Sequence, residues 1–212
     1  MKKHLFRIMP TVLVLGSAVL IPGATTARAE DKDQGFYLGA DAGVNLADDL
    51  VSDFGSSASV SLNPGIRGDF FAGYAFGLSD HLTLAPELEL GAIYNSFGNG
   101  SASGQNTSGG GDLVQVPLMV NAVLSYKFSP RWSTYGGVGV GAEYFDVSVS
   151  DGSSLSGLAG SEGDVAWQVM IGIQCKLGPG DLGLGYKYLG CSALFFNNIG
   201  NNTISASYTI HF

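Results

Sequence analysis

Apolar and polar residues alternate over long stretches of this chain. In the last stretch, NNTISASYTIHF, apolar residues from Ile204 to Phe212 share one face, and polar residues lie between them. A two-residue period of this kind predicts a β-strand. The same period recurs in seven earlier stretches, within residues 35–47, 65–78, 81–94, 112–128, 131–145, 164–177 and 181–190. The pattern therefore predicts eight strands.

The connections between these stretches are alternately short and long. Tight turns are predicted at residues 79–80, 129–131 and 178–181, and long polar loops at residues 47–64, 96–111, 148–163 and 193–201. The strands are also long enough to cross a membrane, which takes about 9–11 residues in a tilted strand. The predicted fold is therefore all-β, an eight-stranded antiparallel up-and-down transmembrane β-barrel over residues 36–212. Because outer-membrane barrels have short turns in the periplasm, we expect both termini to be periplasmic.

The second face of the strands separates a membrane barrel from a soluble barrel of the lipocalin type. A soluble barrel would point its apolar residues inward and its polar residues outward. Here the second face carries few charges and many glycines, for example Gly137, Gly139 and Gly141 in one stretch. Such small residues suit the crowded interior of a small barrel, so the sequence favours apolar residues that face lipid. Aromatic residues near the strand ends match interfacial belts, namely Tyr74, Tyr94, Trp132, Tyr144 and Trp167.

The N-terminus indicates export. Residues 1–29 contain a basic start, an apolar run of eleven residues and the small-residue site Ala27-Arg28-Ala29. This is the order of a secretory signal peptide, and the apolar run is too short to span a bilayer. We therefore expect cleavage between Ala29 and Glu30, which leaves residues 30–35 as a short periplasmic segment before the barrel.

Charge and cysteine content restrict the partners. The net charge falls from −8 to −12 when residues 1–29 are removed, because four of the ten basic residues and no acidic residue lie there. A surface of this charge repels phosphate backbones, so no nucleic acid partner is expected. Cys175 and Cys191 are expected on neighbouring strands at different heights, roughly 25 Å apart, which is too far for a disulfide.

Several stretches resemble a known family. GFYLGADAGV, VPLMVNAVLSYKF, YGGVGVGAEYF, DLGLGYKYL and the final ASYTIHF resemble the small outer-membrane β-barrels of the OmpA-transmembrane and opacity type. The resemblance covers residues 36–212 and implies a barrel surrounded by outer-membrane lipid and lipopolysaccharide. It also implies handling by periplasmic chaperones and the barrel-assembly machinery, with Tyr208, Ile210 and Phe212 as the assembly signal.

Seven charged residues are expected to face the lumen because of their parity along the strands. They are Asp41, Arg67, Asp69, Glu87, Glu89, Glu143 and Lys187. Their heights predict two ionic layers, with Lys187, Glu87 and Asp41 in the layer nearer the turns. Unpaired charge inside the barrel would be costly, so we expect these groups to pair and plug the lumen. The alternative is a gate or a narrow cation path, because the acids outnumber the bases.

Catalytic chemistry has little support in the sequence. Some small outer-membrane barrels act on lipid A, and a deacylase of that kind needs a Ser–His pair at the outer leaflet. Apart from His4 in the signal peptide, the histidines are His81 and His211, both at expected periplasmic ends of strands. GVGVGA (137–142) fits a loose dinucleotide fingerprint, but a strand rather than a helix follows it. We expect no enzyme, no cofactor and no metal.

The predicted function is that of an outer-membrane barrel with a structural or surface-interaction role. Envelope integrity and adhesion through the long extracellular loops are the two forms of this role. An extracellular ligand of the loops is then a further expected partner. The first alternative is a narrow channel for ions or small solutes, and the second is a lipid A-modifying enzyme.

Overall fold

The computed structural model describes residues 34–52, 58–102, 105–107, 110–149, 160–191 and 199–212. The predicted signal peptide and its cleavage site at Ala29 and Glu30 lie outside these residues. The described residues form eleven strands: β1 (Gly35–Ala47), β2 (Leu50–Ser52), β3 (Ala58–Leu62), β4 (Gly65–Ser79), β5 (Leu82–Ala102), β6 (Gln105–Thr107), β7 (Gly111–Lys127), β8 (Trp132–Val149), β9 (Gly160–Leu177), β10 (Gly180–Cys191) and β11 (Ile199–His211). Within the described ranges, no helix is long and apolar enough to cross a membrane.

Eight of these strands close into a barrel. The antiparallel pairs follow the order β1, β4, β5, β7, β8, β9, β10 and β11, and β11 pairs with β1 again. The closing pair runs from Tyr37–His211 to Ala47–Asn201. The closed ladder leaves the barrel strands without an open edge, as a backbone in hydrocarbon requires. The eight-stranded antiparallel barrel predicted from the alternation is confirmed.

The two ends of the barrel differ. Short turns at residues 80–81, 128–131 and 178–179 lie at one end together with Gln34 and Phe212, and we call this the turn end. The opposite end, where β1 ends and β4 begins, is the loop end. Gly178 has a φ of 65° in the two-residue turn between β9 and β10. Glycine suits that position because hairpin turns of this length have a positive φ at their first residue.

Several strands extend further toward the loop end than the sequence predicted. β5 has 21 residues and β8 and β9 have 18 each, whereas β1, β10 and β11 have 12 or 13. In addition, β2, β3 and β6 lie inside segments predicted to be loops, and β3 and β6 both pair with β5. β11 also begins inside the fourth predicted loop, so the predicted loops 47–64, 96–111, 148–163 and 193–201 are all partly wrong. β2 and β6 have only three residues each and β3 has five, so an apolar alternation is too short to distinguish them from loops, and backbone pairing defines them as strands.

The two faces of the barrel wall have opposite character. Outward residues such as Phe70 and Val165 are 71 % and 70 % exposed, which is the surface expected of a wall in contact with hydrocarbon. On the inner face, large side chains lie against glycines of the neighbouring strand. The Phe71 ring occupies the space that a side chain at Gly39 would need. The five aromatic residues predicted for the belts all point outward and are exposed: Tyr74 and Trp132 toward the turn end, and Tyr94, Tyr144 and Trp167 toward the loop end.

Candidate functional site

Oppositely charged side chains meet in the middle of the lumen. Lys187 Nζ lies 2.7 Å from Asp41 Oδ2, 2.8 Å from Asp69 Oδ2 and 3.0 Å from Glu89 Oε2. Arg67 Nε lies 2.8 Å from Asp69 Oδ2, and Arg67 Nη2 lies 2.8 Å from Glu89 Oε1. All five residues are at most 8 % exposed. We call Asp41, Arg67, Asp69, Glu89 and Lys187 the ionic cluster.

The strand register explains why a cation is needed at this height. Asp41 on β1 lies directly opposite Asp69 on β4, and both side chains point inward. Like charges directly opposite each other on paired strands are destabilising. Lys187 comes from β10, which is separated from β1 by β11, and its ammonium group contacts both carboxylates. Lys187 thus neutralises a repulsion that the backbone pairing of β1 and β4 creates.

Neutral polar groups connect Glu87 to the ionic cluster. The Tyr37 hydroxyl donates to Glu87 Oε2 at 2.9 Å. Asn121 Nδ2 donates to Glu87 Oε1 at 3.0 Å and to Glu89 Oε2 at 3.2 Å. Gln168 Nε2 in turn donates to Asn121 Oδ1 at 2.7 Å. These partners were not predicted from the sequence, although they share the inward parity that identified the charged residues.

The two expected ionic layers are one connected network in the structure. Lys187, assigned to the layer nearer the turns, contacts Asp69 and Glu89 of the other layer. The reason is that lysine and arginine side chains are long, and strand tilt and stagger shift heights counted along the chain. Glu143 lies apart from the cluster and accepts a hydrogen bond from Gln115 Nε2 at 2.7 Å.

Apolar side chains fill the lumen between the ionic cluster and the loop end. Ile93, Phe145 and Leu189 lie farther toward the loop end than Glu89, Glu143 and Lys187 on the same strands. Together with six other buried residues they form one apolar group, which we call the apolar plug: Ile93, Phe97, Leu113, Met119, Phe145, Val147, Ala166, Leu189 and Cys191. The plug was not predicted from the sequence, because the alternation assigns the apolar residues of each strand to the outer face.

A group of buried amides closes the other side of the loop-end half. Asn45 Nδ2 donates to Asn95 Oδ1 at 2.9 Å and to Asn201 Oδ1 at 2.8 Å. Thr203 Oγ1 donates to Asn45 Oδ1 at 2.8 Å. All four residues are 0 % exposed. These bonds tie β1, β5 and β11 together across the lumen, so polar as well as apolar packing fills this half of the barrel.

The turn-end half of the lumen contains a cavity. Its volume is about 110 Å³, and its walls include Tyr37, Phe71, Ala75 and Ala85. Asp41, Glu87, Glu89 and Lys187 line the inner end of the cavity. Exposed residues at the turns, among them Asp80, His81 and Arg131, line its mouth. The cavity therefore opens at the turn end and ends at the ionic cluster.

The described histidines and one cysteine, Cys175, lie at the turn end, and the other cysteine, Cys191, is buried. His211 Nε2 lies 3.0 Å from Asp181 Oδ2, and His81 is exposed in a turn, so both histidines lie at the turn end. Cys175 lies opposite Leu182 and Cys191 lies opposite Ala166, which places the two thiols at opposite ends of the β9–β10 hairpin. In the part of the chain that the structure describes, no group of three or more His, Cys, Asp or Glu side chains is placed to hold a metal ion.

The residues predicted as the assembly signal lie on the outer face of β11. Tyr208 and Ile210 are 37 % and 39 % exposed, and Phe212 is 65 % exposed. The Phe212 amide donates to the Phe36 carbonyl at 2.9 Å, so the last residue still belongs to the seam between the first and last strands. The recognition of these residues by the assembly machinery stays a prediction.

A closed barrel with an apolar outside and a polar, packed lumen can be compared with known proteins. A model of the outer membrane protein beta-barrel domain family matches residues 15–212. The chain belongs to this family. As an outer membrane protein beta-barrel, it is located in the outer membrane. A search of curated protein sequences gives no match.

Solved structures of several outer-membrane barrels resemble this member of the family. Neisserial surface protein A (NspA) is 19% identical with a TM-score of 0.54, and the match covers 84% of this chain and 97% of NspA. Ail of Yersinia pestis, in complex with the heparin analogue sucrose octasulfate, is 14% identical with a TM-score of 0.47, covering 83% and 99%. The outer membrane enzyme PagL is 14% identical with a TM-score of 0.45, covering 82% and 99%. At these identities the likeness to NspA shows the fold alone.

Proposed function

We propose that this protein is a closed outer-membrane barrel whose role is structural or lies in surface contacts made by its loops. The observation that carries the proposal is the packing of the lumen. The ionic cluster occupies the middle, and the apolar plug and the buried amides fill the half toward the loop end. A solute would have to displace buried ion pairs and apolar packing to pass through. The long segments at the loop end are then the part of the molecule available to partners.

The orientation of the barrel supports this assignment. The described turns at one end have two to four residues, whereas the segments between β1 and β4 or between β8 and β9 are long. Outer-membrane barrels have short turns in the periplasm and long loops outside the cell. On that basis the turn end, with Gln34 and Phe212, faces the periplasm, and the loop end faces the cell exterior. Lipopolysaccharide and an extracellular ligand are the partners expected there.

The arrangement of the histidines gives no support to a lipid A-modifying enzyme. Lipid A lies in the outer leaflet, which the loop end faces in this orientation. His81 and His211 lie at the turn end. We therefore propose a role without a catalytic step.

A narrow cation channel is the second candidate, and the turn-end cavity is the observation that favours it. The cavity already opens half of the lumen to the turn end. In addition, carboxylates outnumber bases in the lumen: the seven charged residues predicted from parity are buried, and Asp181, Lys127 and Lys176 also line the cavity. A rearrangement of Lys187 and Arg67 would then connect the cavity to the loop end. An excess of carboxylates would favour cations along such a path.

Conductance decides between the two candidates. The refolded barrel is inserted into a planar lipid bilayer, and single-channel currents are recorded for the wild type, for Lys187→Ala and for the control Asp112→Asn, whose carboxylate accepts a hydrogen bond from the outward Tyr94 and does not line the cavity. We expect no discrete steps from any of the three, because the apolar plug stays in place without Lys187. Cation-selective steps in the wild type that change in Lys187→Ala but not in Asp112→Asn would overturn the closed-barrel proposal.

An experiment in cells distinguishes between the two forms of the proposed role, envelope integrity and surface contact. A strain that lacks the protein is tested for attachment to surfaces and for sensitivity to detergents. Loss of attachment alone would assign surface contact, and sensitivity to detergents alone would assign envelope integrity. A strain that is unchanged in both properties would contradict the proposal.

A further inference from the structure

The turn-end cavity has a negatively charged inner end. Asp41, Glu87 and Glu89 line it, together with the single base Lys187. Behind this surface lie Asp69 and Arg67, so four acids and two bases occupy this part of the lumen. The region is buried among strands, where electrostatic interactions are stronger than in water. The wall nearer the mouth carries Lys127, Arg131 and Lys176 beside Asp80 and Asp181, so the excess of carboxylates that attracts a cation lies at the inner end of the cavity.

One carboxylate oxygen at this inner end has no donor in the protein. Asp41 Oδ2 accepts a hydrogen bond from Lys187 Nζ at 2.7 Å. Asp41 Oδ1 is buried and has no hydrogen-bond partner among the residues that the structure describes. The residue is only 8 % exposed. A buried carboxylate oxygen without a donor is costly, so Asp41 Oδ1 is the natural acceptor for a donor group that arrives in the cavity.

Two further atoms on β11 that can accept a hydrogen bond are also buried without a partner. Thr209 Oγ1 and His211 Nδ1 are both buried, and neither has a hydrogen-bond partner within the described ranges. Both residues line the same cavity as Asp41. Buried polar atoms without a hydrogen-bond partner in the described chain therefore lie along the cavity wall as well as at its inner end.

The remaining walls suit an alkyl chain. Ala75 and Ala85 are buried apolar residues on the cavity wall, and the rings of Tyr37 and Phe71 lie beside them with centroids 6.4 Å apart. Methylene groups pack favourably on such a surface, and aromatic rings attract an adjacent cation. A bare metal ion would need several oxygen ligands close together, and no such group of side chains is found in the described chain.

We propose that the turn-end cavity binds a small molecule with a primary ammonium group on a short alkyl chain. The ammonium group enters first, donates to Asp41 Oδ1 and lies near Glu87, while the alkyl chain packs between Phe71, Ala75 and Ala85. The ligand arrives from the turn end. This inference does not depend on the proposed surface role, because it concerns the opposite end of the barrel.

The test measures binding of butylammonium chloride to the refolded barrel in uncharged detergent micelles. Isothermal titration calorimetry is run with butylammonium and, in parallel, with butanol, which has the same alkyl chain but no charge. We expect saturable one-to-one binding of butylammonium and none of butanol. Asp41→Asn should weaken butylammonium binding about tenfold or more, because a charge-assisted hydrogen bond and a charge are lost. Glu143→Gln is the matched control, since Glu143 is a buried lumen carboxylate that does not line the cavity.

A second variant keeps the test decisive if Asp41→Asn fails to fold. Ala75→Leu narrows the cavity without altering a charge, and it should abolish binding while the ionic cluster stays intact. Folding of each variant is checked by its heat-modifiable migration on gels. Absence of butylammonium binding to the folded wild type, or equal binding by the wild type and Ala75→Leu, would overturn the proposal.

Discussion

Removal of the Lys187 ammonium group should destabilise the barrel. Lys187 is 4 % exposed and contacts Asp41, Asp69 and Glu89 at 2.7 to 3.0 Å. In Lys187→Ala, Arg67 still pairs with Asp69 and Glu89. Asp41 has no other ion pair among the described residues, so its buried charge is left uncompensated.

The expected loss follows from this remaining pairing. Breaking a buried ion pair by removing one partner costs about 3–5 kcal/mol. Because only one of the three carboxylates loses its cation completely, we expect the lower end, about 3 kcal/mol, in the free energy of unfolding. Asp41→Asn combined with Lys187→Ala removes the uncompensated charge as well. The double variant should therefore recover about 1–2 kcal/mol relative to Lys187→Ala alone.

Urea unfolding of the refolded barrel in micelles measures these differences. The only two tryptophans of the chain, Trp132 and Trp167, point outward and report on the transfer from micelle to water. Arg131→Ala, at an exposed turn position, is the control and should change the free energy of unfolding by less than about 0.5 kcal/mol. A loss below about 1 kcal/mol in Lys187→Ala, or strictly additive effects in the double variant, would refute the reasoning about buried charge.

Three further changes test the wall and the seam of the barrel. Gly139→Ala should destabilise the barrel by about 1–3 kcal/mol in urea unfolding, because the new methyl group would displace Asn121. The control Gly136→Ala should be near neutral, because its methyl group would lie 3.7 Å from the closest atom. Equal effects of the two substitutions would contradict the tight packing of the lumen. Val140→Lys should lower the free energy of unfolding in lipid vesicles by about 2–4 kcal/mol for an outward position near the bilayer midplane, and should change it little in the absence of lipid. An unchanged free energy of unfolding in vesicles would contradict a lipid-facing position of Val140. Deletion of Phe212 should lower the folded fraction in cell envelopes more strongly than it lowers the folded fraction after refolding from urea, with both fractions measured on gels. Equal losses in the two measurements would contradict an assembly signal.

The outer face of the barrel could be predicted from the sequence, and the contacts inside it could not. Alternation assigned Phe70 and Val165 to lipid and Arg67 and Lys187 to the lumen, and the structure places all four accordingly. Parity gives the face of a residue but not its neighbours across the lumen. Those depend on how the strands are staggered around the closed barrel, which is why Lys187 joined two layers that had been expected to be separate.

The apolar plug and the short strands at the loop end produce too weak a pattern in the sequence to be predicted. Phe145 and Leu189 face inward on strands whose outward residues are also apolar, so the alternation gives no contrast at the apolar plug. β6 (Gln105–Thr107) is polar and β3 (Ala58–Leu62) is short, and both are defined as strands by their pairing with β5. The plug residues and β3 have partners that are distant in sequence, whereas β6 pairs with the preceding residues 100–102 of β5.

The wall of this barrel is taller on one side than on the other. β5 has 21 residues and β10 has 12, so β5 has nine more residues. Nine residues at about 3.3 Å each add roughly 30 Å of strand and roughly 20 Å of height at the usual tilt. In the orientation proposed above, with the loop end outside the cell, the side around β5 would rise among the lipopolysaccharide sugars, while the strand β10 would end near the headgroups. An antibody or a host surface that approaches the cell would therefore meet the β5 side first, and the low side would be shielded from it by sugar chains.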